Sequence, residues 1–236
     1  MYLENLKKLR EKIKVSSNIE NQDVHYVLKW LKRRKSKDKM KSKLINVNQV
    51  KDWFRDKNGN LYHKSKQFFE ITGIRTSQAA REVNGWDQLI LNQKHGGILA
   101  IIMREKRNGV IEFLLLARKE PGDLDLKLSP SFSATQSNIN RVHGGKKTPL
   151  TDIIFSKDKG VKLMSKSIHY EEGARFWRKP NQNLLIKIDK KFESKIKGKN
   201  FIWLNMSQIK SGVAAGDEVQ KIFNLAKEKQ FALPAV

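Results

Sequence analysis

The run Thr135-Gln136-Ser137-Asn138 belongs to a series of polar residues that recur in turns between apolar stretches. Before it, Lys119-Glu120 precedes Pro121-Gly122; after it come His143-Gly144-Gly145, then Glu171 and Arg175. Proline and glycine fix such turns and let a backbone approach a ligand closely. Taken singly, each piece reads as a capped turn. Together they supply donors, acceptors, a histidine and carboxylates, the equipment for carbonyl and hydroxyl chemistry on a sugar. Seven of the eight side chains from Ser131 to Asn138 are small or amide-bearing. That is a neutral hydrogen-bonding cluster in a chain otherwise rich in lysine.

Other chemistries fall away. The 236 residues contain no cysteine, which removes disulfides, thiolate-bound metals and a Cys nucleophile. There is no Gly-x-Gly-x-x-Gly, and neither Gly145-Lys146 nor Gly198-Lys199 stands in a P-loop context, so bound NAD or ATP is not indicated. The five histidines, His25, His63, His95, His143 and His169, lack His-x3-His spacing and the acids are scattered. No metal and no cofactor are expected. A Gly-x-Ser-x-Gly elbow is missing too.

The elements that must position these residues are legible in outline. Residues 1–45 read as a helical extension. Leu3, Leu6, Leu9 and Ile13 share one face, and Val24, Val27, Leu28 and Leu31 another. From residue 46 to 236 the pattern changes to short strands and turns. Asn58-Gly59 marks a hairpin between Trp53-Phe54 and Leu61-Tyr62. Asn108-Gly109 marks a second, between the apolar runs Gly96–Glu105 and Val110–Ala117, which are expected at the centre of the sheet. Asn183–Ile188 and Asn200–Leu204 add strands, and Asp217 caps a last helix carrying Val219, Ile222, Phe223 and Ala226. Strands and helices do not alternate regularly, so the fold class is α+β with a mixed or antiparallel sheet.

A net charge of +24 suggests nucleic acid, an anionic surface or phosphorylated ligands. The most basic block, Lys29–Lys43, holds nine Lys or Arg and one acid, Asp38. It has no interleaved aromatics beyond Trp30, so a solvated helix end explains it as well as a nucleic-acid patch does. No apolar run approaches the ~20 residues of a membrane span, and a cytoplasmic protein is the simplest reading.

Read in order, seven segments resemble the NDP-4-keto-6-deoxyhexose 2,3-dehydratase family. They are WFRDKNGNLYHKSKQFFEITGIR, GWDQLILNQKHGGILAIIMR, LLARKEPGD, LSPSFSATQSN, RVHGG, EEGARFWRKPNQN and FIWLNMSQIK. They cover residues 47 to about 210. The resemblance implies a Nudix-like mixed sheet flanked by helices. Members usually carry two such modules in tandem, which implies a homodimer here. Glu171-Glu172-Gly173 resembles the end of a Nudix box, but Ser167-Ile168 stands where Arg-Glu is needed, so Mg-dependent diphosphate hydrolysis is not expected. Ser133, Ile139 and Asp123 depart from the family pattern and leave the sugar unidentified.

The implied reaction is a lyase step on a nucleotide-linked sugar, dTDP-linked by expectation. A base removes the C3 proton beside the C4 ketone, the C2 hydroxyl leaves, and a 3,4-diketo-2,6-dideoxy sugar results without redox cofactor or metal. His143 is the first candidate for base or acid, against an ordinary turn histidine. Glu171 is the second, against an ion pair with Arg175 or Arg178, and Glu120 the third, against a turn cap. Thr135, Gln136 and Asn138 are expected to clasp the sugar. Arg104, Lys119 or Arg175 would face the diphosphate, and Trp86 would stack on the base unless it belongs to the core. The alternatives are a catalytically silent nucleotide-sugar-binding protein and a nucleic-acid-binding protein.

Overall fold

The computed structural model describes residues 2–17 and 24–214. The expected helix around Asp217 lies outside them, as do the side chains of Leu3, Leu6 and Val24. The fold is α+β, built on two sheets.

The smaller sheet is an antiparallel meander in the order β1 (Trp53–Arg55), β2 (Leu61–His63), β3 (Glu70–Thr76), β4 (Trp86–Asn92). Its first turn is the expected one: Gly59 has φ of 86°, and Asp56 accepts from the backbone of Asn58 and Asn60. The larger sheet is mixed, in the order β11 (Phe201–Asn205), β6 (Ile111–Arg118), β5 (Gly97–Glu105), β10 (Pro180–Ile188), β9 (Val161–Tyr170). β5 and β10 run parallel; the other neighbours are antiparallel. The apolar pair β5 and β6 stands at its centre, as the hairpin signal predicts.

β5 and β6 pair only from Ile102 and Leu114 toward their turn. Beyond that point they separate, and the serine-rich stretch fills the fork. β7 (Lys127–Pro130) pairs with β6, and β8 (Phe132–Thr135) pairs with β5. Ser131 sits between them, buried, where the chain changes partner. Its hydroxyl donates to Leu114 O and accepts from Ile102 N, satisfying two backbone groups that the fork leaves unpaired. Ser129 likewise donates to Leu116 O. Part of the neutral cluster therefore stitches the sheet.

Side-chain alternation gives the large sheet two faces. Ala100, Ile102, Leu114, Phe132, Ala134, Leu184 and Ile186 bury one face beneath the short helix α4 (Thr151–Ile154) and the 3-10 turn Lys190–Lys195. Met103, Phe113, Leu115, Ala117, Ile202 and Leu204 bury the other against α1 (Tyr2–Ser17), α2 (Val24–Lys35) and α5 (Met206–Ala214). The expected helical extension thus consists of α1 and α2, with Leu9, Val27 and Leu31 in the same cluster as the sheet, while residues 38–46 carry no regular structure. Leu28 is exposed. Polar groups register the helices: Ile111 N donates to Ser16 Oγ, and Lys12 meets Glu105 at 2.5 Å. Asn205 and Gln208 form a reciprocal capping box at the start of α5.

Candidate functional site

The helices cover only one end of their face of the large sheet. At the other end, where β5 and β10 begin and β8 and β9 finish, the same face turns polar. Alternation from Ala134, Ile98 and Leu184 on the opposite face places Ser133 and Thr135 of β8, Asn181 and Asn183 of β10, and Ser167 and His169 of β9 together here. Asn181 and Asn183 are buried.

Two glycines let these strands meet. A Cβ on Gly96 would lie 1.7 Å from Pro180 O, and one on Gly97 would lie 3.0 Å from Ala134 O. With the approach open, Gly97 N donates to Asn181 Oδ1 at 2.8 Å. The other end of that amide, Nδ2, donates to Glu171 Oε1 at 2.6 Å. Lys179 Nζ stands 3.5 Å from the same oxygen and lies over the ring of Phe176. Glu171 is 36% exposed, whereas Lys179 is 7% exposed. His169 Nε2 and Ser167 Oγ are 2.9 Å apart.

Thr135 ends β8 and caps α3 (Gln136–Ile139), its Oγ1 accepting from Asn138 N at 3.4 Å and meeting Ser137 Oγ at 2.9 Å. The chain then leads into a cleft of about 390 Å³. Its wall includes Gln136, Ser137 and Asn140 on one side and Lys66, Glu70, Lys94 and His95 on the other. The 172–177 loop binds the small sheet beside it through Leu91 N to Arg175 O and Trp177 N to Leu91 O. The cleft adjoins the polar face along the chain: its Gln136 follows Thr135, which pairs with Gly97.

Of the residues expected from sequence, Glu171 reaches Gly97 through Asn181 and Thr135 pairs with Gly97 in the sheet, while Gln136 and Asn138 follow Thr135 in α3, Gln136 exposed with its Nε2 donating to Asn140 Oδ1. His143 lies in the exposed loop after α3; its Nδ1 accepts from Gly145 N at 2.8 Å, which leaves Nε2 to carry the proton in the neutral ring. Glu120 is in the β6–β7 turn and pairs with Arg118 at 2.7 Å. Lys119 faces Asp38 at 3.8 Å. Arg175 is exposed and pairs with Glu172. Trp86 begins β4 and donates to Gln88 Oε1, whose Nε2 donates to Ala174 O. Arg104 lies seven residues along β5 from Gly97, roughly 23 Å in an extended strand. It is engaged there by Glu112, Glu193 and the Trp203 ring.

Sequence reasoning did not single out Lys179, Asn181 and Asn183. Their signal was present: Lys179, Asn181 and Asn183 alternate immediately before the apolar run of β10, a period-two polar face. His169 and His95 were noted only as histidines without metal spacing. Among the described residues, no three His, Asp or Glu side chains gather as they would around a metal ion, and no helix is long and apolar enough to cross a membrane.

Residues 24–221 match the family model described as NDP-hexose 2,3-dehydratase. The chain is 30% identical over 182 residues to a dTDP-4-dehydro-6-deoxy-alpha-D-glucopyranose 2,3-dehydratase of Saccharopolyspora spinosa, covering 76% of this chain and 36% of that protein. It is 32% identical over 163 residues to the enzyme of the same name from Amycolatopsis orientalis, covering 66% and 34%. The chain thus spans about a third of the length of the curated relatives it matches. Among solved structures, a C. elegans Ap4A hydrolase overlaps 58% of this chain and 96% of its own at 15% identity and a TM-score of 0.30. A Nudix hydrolase from M. smegmatis, RenU, overlaps 62% and 93% at 10% identity and a TM-score of 0.29. Overlaps this slight add nothing to what the strand order shows.

Proposed function

The chain belongs to the NDP-hexose 2,3-dehydratase family, and from that premise we propose that it dehydrates a nucleotide-linked 4-keto-6-deoxyhexose across C2 and C3. The observation that supports this most is the carboxylate of Glu171, held by Asn181 on a face of hydroxyls and amides. A sugar needs such neutral partners, and the reaction needs a base beside them.

In this reading Glu171 takes the C3 proton, and the C3–H electron pair moves toward C4 so that the ketone oxygen becomes an enolate. The enolate collapses, the C2–O bond breaks, and hydroxide leaves as water after receiving a proton. The enol product then tautomerises to the 3,4-diketone. Positioned donors lower the cost of the charge that develops on the C4 oxygen. The proton donor to the leaving hydroxyl is assigned to His143 through Nε2, with Glu120 as the rival carboxylate. Thr135, Gln136 and Asn138 hold the sugar. Lys66 and Lys94 in the adjoining cleft suit the diphosphate, a role that sequence gives to Lys119, Arg175 or Arg104. The names of the relatives make dTDP the first nucleotide to try.

A homodimer and a cytoplasmic site of action complete the proposal. The dimer is supported by β9, an outer strand of the large sheet with Leu163, Ile168 and Tyr170 more than half exposed.

The test is incubation with a panel of NDP-4-keto-6-deoxyhexoses beside a 3-ketoreductase that traps the product, with water loss read by mass spectrometry. Dehydration of at least one member is expected. Tight binding without water loss would favour a silent sugar-binding protein.

A further inference from the structure

Lysine is seldom buried without close partners, because removing an ammonium from water costs several kcal/mol. Lys179 is buried with loose ones. Its side chain is 7% exposed, its carboxylate partner Glu171 is 3.5 Å away, and the Phe176 centroid is 4.6 Å from Nζ. A charge-assisted bond to a carboxylate normally closes to about 2.7–2.9 Å. Glu171 gives its short bond to Asn181 instead, at 2.6 Å. An ammonium carries three N–H donors, so Lys179 has donors to spare. Arg178, just before it, has φ of 46°, a left-handed conformation that non-glycine residues adopt at a cost. The side chain beside Glu171 is thus desolvated and follows a residue of left-handed backbone.

We propose that Lys179 is a catalytic residue whose ammonium receives the C4 carbonyl oxygen and carries the negative charge of the enolate. The proposal rests on the dehydratase reading and deepens it. When Glu171 removes the C3 proton, the electron pair ends on the C4 oxygen, beside the cation. When the carbonyl re-forms, the pair moves back through C3 to make the C2–C3 double bond, and the C2 oxygen departs. Lys179 keeps its protons throughout. A cation whose side chain is buried against an aromatic ring is an effective stabiliser of such charge.

The test compares the parent with Lys179→Met, Glu171→Gln and the double variant, all as full chains whose melting curves verify folding. The double variant removes both charges together, so it leaves no unpaired buried ion. Lys179→Met is expected to lower kcat by about 10²-fold or more with KM little changed, on the scale of losing one oxyanion donor. It should also stop solvent deuterium from entering C3 of unreacted substrate. The residual rate of Glu171→Gln is expected to fall further, by about 10-fold or more, when Lys179→Met is added, because the cation acts on the substrate itself. A double variant no slower than Glu171→Gln would overturn the proposal and make Lys179 a positioning residue for the carboxylate. Near-parental turnover by Lys179→Met would overturn it outright while leaving the dehydratase reading intact. A folded parent that binds nucleotide sugars but never dehydrates them would overturn both, and the parent's own rate identifies that case.

Discussion

Asn181 ties Glu171 to the backbone of β5. Its Nδ2 donates to Glu171 Oε1 at 2.6 Å, while its Oδ1 accepts the Gly97 N–H at 2.8 Å. Only one orientation of the amide satisfies both partners, since a carboxylate needs a donor and an N–H an acceptor. Asparagine is therefore the residue the arrangement requires.

Replacing it separates two effects. Asn181→Asp keeps the acceptor for Gly97 but sets a second carboxylate against Glu171, so turnover should fall by about 10-fold or more through misplacement of the base. Asn181→Leu leaves the Gly97 N–H unpaired and should cost about 1–3 kcal/mol of stability. Urea denaturation and initial rates measured on both variants check this division. Equal stability loss with full activity in both would contradict it.

The fork between β5 and β6 makes a second prediction. Ser131 serves Leu114 O and Ile102 N from one hydroxyl, so Ser131→Ala orphans two buried backbone groups. A destabilisation of about 1–3 kcal/mol is expected, against little change for the exposed Ser36→Ala. Chemical denaturation midpoints would show it.

These serines also mark what the sequence could not tell. The two Asn-Gly hairpins were legible because turn chemistry is local. The purpose of LSPSFSATQSN was not, because it depends on where β5 and β6 part, which is set by long-range pairing. From this stretch Thr135, Gln136 and Asn138 were expected to clasp the sugar and no structural role was foreseen for its serines, yet Ser129 and Ser131 serve the sheet while Thr135 lies on the polar face and Gln136 lines the cleft. β9 was missed because its exposed side mixes lysines with apolar residues, as an outer strand does. Glu171 was singled out as a candidate from its motif. Lys179 and Asn181 were not singled out, because the strand was expected to start at Asn183, whereas β10 begins at Pro180.

Glycine separates close approach from backbone conformation. Gly96→Ala would place Cβ 1.7 Å from Pro180 O, so β5 and β10 must part where they begin. Severe destabilisation or failure to fold is expected. Gly109 has open space around it but φ of 79°, and Gly109→Ala should cost about 1 kcal/mol. Thermal melting of the two variants should rank them in that order.

Acid should loosen α1. Hydrogen bonds from Lys12 and then Lys187 hold the Glu105 carboxyl below its ordinary value of 4.5. A depressed folded-state value means the unfolded chain takes up the proton first as pH falls. The contribution is complete well above about pH 4.5 and is lost below it. Glu105→Gln should therefore lower the melting temperature at pH 7 and narrow the gap to the parent as pH drops to 3. A gap that widened on acidification would reverse the sign of the argument.

The claim that the reaction is carried on the polar face at Gly97 is tested most directly by Glu171→Gln, assayed for water loss from dTDP-4-keto-6-deoxyglucose with the 3-ketoreductase trap present. The parent should dehydrate the sugar. The variant should bind it with similar affinity and turn over about 10²-fold or more slowly, as expected when a positioned base is removed. A folded Glu171→Gln protein that matched the parent's rate would contradict the account and move the base elsewhere, to His143 or Glu120.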